Sequence, residues 1–105
     1  MAAANRQNTP KAYLDIRRSL QAREILVALE EHGPSNDALF YQWLGEIGLG
    51  PSHRDLADLL DRLEADGLVV TEQVGQFRVI RPLRAGIEIA KAHAQSDWIA
   101  RVDPE

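Results

Sequence analysis

The chain contains no cysteine. Disulfides, thiolate-bound metal and a cysteine nucleophile are therefore excluded. It also lacks any apolar run near the ~20 residues that a membrane-spanning helix needs, so no membrane partner is expected. The first residues, MAAANRQNTP, have no apolar core of the signal-peptide kind, and a cytoplasmic location is the expectation. His32, His53 and His93 are scattered, with no ligand spacing such as H-x-x-x-H. The closely spaced Gly48 and Gly50 sit in GLGPS, which lacks the lysine of a phosphate-binding loop. Asp58 and Asp61 share a helical face but have no neighbour to split their proton affinities. Neither a metal, nor a cofactor, nor an enzymatic activity is expected from these residues.

What remains is the composition of an ordinary globule: 105 residues, 45% hydrophobic and 27% charged. That length supports one small domain with a core of its own. The net charge of −4 hides an asymmetry. Residues 1–29 carry +3, residues 30–72 carry −8, and residues 73–105 carry +1. A nucleic-acid surface should follow the basic flanks rather than the acidic middle.

Hydrophobic spacing sets out the elements. Residues 1–10 read as a mobile arm. A helix or helix pair spans about Lys11 to His32 and stops at Gly33-Pro34. It bears two apolar stripes: Ala22, Ile25, Leu26 and Leu29, and then Tyr13, Ile16, Leu20 and Val27. The first suits the core. The second suits either packing within the chain or a homodimer seam. A second helix begins at Ser35 or Asn36, with Leu39, Phe40, Trp43, Leu44 and Ile47 as its apolar face. After a tight turn, Ser52 caps a third helix whose Leu56, Leu59, Leu60 and Leu63 face inward. Its other face carries Arg54, Asp58, Asp61 and Ala65, with Arg62 at the edge.

Two short strands follow, marked by Leu68, Val70 and by Val79, Ile80, with Val74-Gly75 at their turn. Arg81-Pro82 is expected to break the second strand. Leu83 to about Gln95 reads as a closing helix. Residues 96–105 read as a loose tail, with Trp98 and Ile99 available to tuck back. The domain proper is thus 11–95. The fold class is mainly α with a small β-hairpin, in the order of a winged helix-turn-helix.

In such an arrangement the third helix can enter the major groove of duplex DNA. Its tip would offer Ser52, His53 and Arg54, and the wing Gln76, Arg78 and Arg81. These residue types suit phosphates and base edges. Arg84, Arg17, Arg18 and Arg23 add positive charge nearby. Behind the tip, Asp55, Asp58, Asp61, Glu64 and Asp66 face only Arg62, and phosphate repels them. Contact through the tip and wing is favoured over deep insertion. Plainer roles compete: Ser52 as a cap, His53 as a surface residue, Arg54 paired with Asp58, Arg62 with Asp58 or Asp66, and Arg78 and Arg81 keeping the hairpin soluble.

From Ser52 to Gly86 the chain resembles the winged-helix transcriptional regulators, in SHRDLADLLDRLEADGLV, a hairpin, and LRAG. Over about Tyr13 to Ala94 it is similar to a family of small winged-helix proteins of Mu-like prophages, in DIRRSLQAREILVALEEHG, DALFYQWLGEIGLG and LRAGIEIA. The resemblance implies a phage or prophage context and a regulator-like role. It departs in one respect, because the third helix of that family tends to be more basic. The leading expectation is a DNA-binding, regulator-like homodimer. The alternative is a protein-interaction module, with a phage or host protein as partner and no DNA binding.

Overall fold

The computed structural model describes residues 10–103. The expected arm therefore lies outside the described residues, except for Pro10. Helix α1 (Lys11–His32) is followed by strand β1 (Ser35–Asn36), helix α2 (Asp37–Glu46) and helix α3 (His53–Ala65). Strands β2 (Val69–Val74) and β3 (Phe77–Pro82) form a hairpin, and helix α4 (Arg84–Ala90) closes the chain. The three strands make one antiparallel sheet in the order β1-β3-β2. Among the described residues the architecture is thus mixed, with four helices and a sheet, rather than mainly helical with a hairpin alone.

Local chemistry sets the helix ends. The Asn36 side chain accepts the Leu39 N–H at 2.8 Å, and the Ser52 hydroxyl accepts the Asp55 N–H at 3.0 Å. Each satisfies one of the donors orphaned at a helix start. Gly75 turns the hairpin with φ of +60°, a value that side-chain-bearing residues seldom adopt.

The core forms where the amphipathic faces meet. Ala22, Ile25, Leu26 and Leu29 of α1, Phe40 and Leu44 of α2, and Leu56, Leu59, Leu60 and Leu63 of α3 are all buried. They enclose Val69, Ile80 and Ile89 from the sheet and α4. Burial of each such aliphatic side chain stabilises the fold by about 1.5–3 kcal/mol. Gly86 is required for another reason. A Cβ there would lie 2.2 Å from the Leu68 carbonyl oxygen, so α4 seats against the sheet only with glycine at that position.

Several expectations are corrected. Ser35-Asn36 pairs with Ile80 and Val79 as a third strand, because the Gly33-Pro34 stop lays the chain along β3 before α2 begins. Pro82 ends β3 rather than breaking it. It pairs with Val69 beyond the end of β1, where its missing N–H costs no ladder bond. Helix α4 ends at Ala90, as Ala92 turns left-handed with φ of +63°. On α2, Phe40 and Leu44 are buried and Trp43 partly so, but Leu39 and Ile47 are exposed. In the described part of the tail Ile99 joins the core and Trp98 packs against it, the tuck-back open to them in the sequence. The Ala100 N–H donates to the Ser19 carbonyl, so this part is not loose.

Candidate nucleic-acid interface

The turn between α2 and α3 is held from outside. Gln21 of α1, 5% exposed, donates from Nε2 to the Leu49 carbonyl at 2.8 Å. Arg17 donates from Nη2 to the Gly50 carbonyl at 2.7 Å. That places the Arg17 cation two residues ahead of the Ser52 cap. In the sequence Arg17 stands only as general positive charge, and Gln21 is not singled out. Their spacing of four residues on one side of α1 was the available signal.

At the start of α3, Ser52, His53 and Arg54 are all exposed. The Ser52 hydroxyl is engaged as the cap. The His53 ring stacks on Tyr41 with centroids 3.9 Å apart and planes 10° apart. Arg54 forms no ion pair among the described residues, so the Asp58 pairing does not occur. His53 and Gln76 line one groove of about 330 Å³, floored by Leu56, Ala57 and Leu60 and closed by Phe77. The tip of α3 and the hairpin turn therefore meet at one end of the molecule. Asp37 fastens that end: its Oδ1 accepts the Ala38 and Arg78 N–H groups.

Of the two remaining hairpin residues, Arg78 borders this groove but does not offer its cation there, and Arg81 lies away from it. Arg78 turns inward, and its side chain is only 19% exposed. Its Nη2 sits 2.7 Å from Asp61 Oδ1 and 3.4 Å from Glu64 Oε1, and its Nε donates to Thr71 Oγ1 at 3.1 Å. It is a clamp between hairpin and helix, not an open phosphate ligand. Arg81 pairs with Val70 near the far end of the hairpin and is exposed.

Glu64 completes the clamp. It accepts the Thr71 N–H at 3.1 Å and the Thr71 hydroxyl at 2.8 Å. The Thr71 backbone N–H and then its hydroxyl hold the Glu64 carboxyl below its ordinary pKa, against the opposing effect of burial and with lesser help from Arg78. Two of the carboxylates behind the tip thus serve the fold. Asp55 and Asp58 remain open to solvent.

Arg62 also departs from expectation. Its guanidinium lies 3.9 Å over the Trp98 ring, while Trp98 Nε1 donates to Asp66 at 2.7 Å. Cation–π stacking replaces the expected pairing with an aspartate. Among the expected seam residues, Tyr13 and Ile16 are exposed and Leu20 is half-buried. Val27 packs on the core, so it belongs to the chain's own interior.

Among the described residues no cluster of histidine and carboxylate groups is arranged to hold a metal ion. No helix among them is long and apolar enough to cross a membrane. Compared with protein-family models, curated proteins and solved structures, the chain matches none.

Proposed function

We propose that the chain is a winged-helix, regulator-like protein that touches duplex DNA through the start of α3 and the hairpin turn. The resemblance to prophage regulators suggests the same role. One observation carries the reading: His53 at the start of α3 and Gln76 of the hairpin turn line one groove, with Ser52 and Arg54 exposed on either side of His53 and Arg17 bonded to Gly50 of the preceding turn. A helix N-terminus with nearby arginines suits phosphate. The carboxylates farther along α3 limit the contact to its tip.

The test is a fluorescence titration of labelled duplex DNA at low and rising salt. Binding at low salt that weakens steeply with salt is expected. Arg54→Ala should reduce the salt slope by about one unit, as expected for one lost phosphate contact. Arg78→Ala should leave the slope unchanged, because that cation already faces two carboxylates. Absence of binding at low salt overturns the proposal.

A second reading is favoured by the same clamp. With Arg78 turned inward and Asp55 and Asp58 open, the α3 face suits a basic protein surface. The domain would then be an interaction module for a phage or host protein, indifferent to DNA in the same titration.

A further inference from the structure

We infer that the outer face of the hairpin is a self-association surface, occupied by the same face of a second copy of this chain. Strand register fixes its composition. Val70 lies opposite Arg81, Glu72 opposite Val79, and Val74 opposite Phe77. Val69, Thr71 and Gln73 take the other face with Pro82, Ile80 and Arg78, and that face looks onto the core and α3. By alternation the outer face therefore presents Val70, Val74, Val79 and Phe77 with two opposite charges, Phe77 standing at the hairpin end where it also borders the α3 groove. Val70, Val74 and Phe77 are 41%, 49% and 39% exposed. Such a patch on a small domain marks a contact surface.

Its charges select the occupant. Glu72 and Arg81 are exposed and belong to no ion pair among the described residues. They stand on different strands, one row apart. Nucleic acid would match Arg81 and repel Glu72, and a basic partner would do the reverse. A second copy matches both.

A two-fold axis parallel to the strands lays β2 of each copy over β3 of the other. Phe77 then faces Val74 of the second copy, and Arg81 covers Val70 and reaches Glu72 one row along. Both copies make the same contacts, as two-fold symmetry demands. Pairing along the free edge of β2 is obstructed at its middle, where the Thr71 N–H already donates to Glu64. The face of the sheet carries no such obstruction.

Six side chains per copy cover less than the ~800 Å² per partner of stable complexes, so association is weak and concentration-dependent. Sedimentation velocity on the full chain, from about 10 μM to about 1 mM, spans the range where so small an interface assembles. A reversible monomer–dimer equilibrium is expected, abolished by Phe77→Asp. Glu72→Arg or Arg81→Glu alone sets like charges together and should weaken association about fivefold. The double reversal should restore it to within about twofold of the parent, as coupled sites do. Circular dichroism checks that each variant keeps its helices. A monomer at every concentration, an equilibrium indifferent to Phe77→Asp, or a double reversal no better than the single ones overturns the inference. None of these readouts involves DNA, so the inference stands or fails separately from the function proposed above.

Discussion

The two faces of the hairpin are built on opposite terms. On the inner face the charged side chain is matched: Arg78 meets Asp61, Glu64 and Thr71, beside the buried Ile80. On the outer face Glu72 and Arg81 stand among exposed valines and a phenylalanine, with no ion partner in the described chain. The difference separates charge that builds the fold from charge left available to a partner. The acidity of α3 looked like a bar to DNA in the sequence. Two of its carboxylates instead anchor the hairpin that stands beside the tip.

The largest test of this contrast is a pair of truncations on neighbouring rows. Ile80→Ala removes a fully buried inner side chain and should cost about 2–4 kcal/mol by chemical denaturation. Val70→Ala, on the outer face, should change stability by less than about 0.5 kcal/mol. Equal losses would mean that both faces are structural.

Arg78→Ala comes next. It leaves Asp61 and Glu64 facing each other and strips Thr71 of a partner. Because both carboxylates are partly solvated, the loss should be about 1–2 kcal/mol rather than that of a buried pair. A neutral result would reduce the clamp to a surface ornament.

The smallest effect is a pH dependence. Glu64 has its folded pKa lowered, chiefly by the Thr71 N–H and hydroxyl. Its contribution is therefore complete above the ordinary glutamate range and is lost as pH falls through the folded value. Thermal melts should show the parent losing stability in acid more steeply than Glu64→Gln. Parallel curves would show that the carboxylate charge is not what holds the strand.

Much of this was legible beforehand. The leucines at 56, 59, 60 and 63 follow the helical period, and all four are buried. Ser52 announced its helix. Even the inward turn of Arg78 was available: it shares strand parity with Ile80, so an inward Ile80 carries Arg78 to the same face. Read as composition alone, the arginine looked like a phosphate ligand. Strand β1 was not legible, because two polar residues carry no alternation and pair only where α2 and β3 converge. The stacking of Arg62 on Trp98 joins residues far apart in sequence, and no local period reports it. Leu39 and Ile47 lie at the margins of their helical stripe, and among the described residues no element covers them.

The carbonyls of Leu49 and Gly50 have their side-chain donors in Gln21 and Arg17, a whole helix away in the chain. The loop that leads into α3 is consequently moored to α1 at two points, and a change at either donor reaches the tip through that loop.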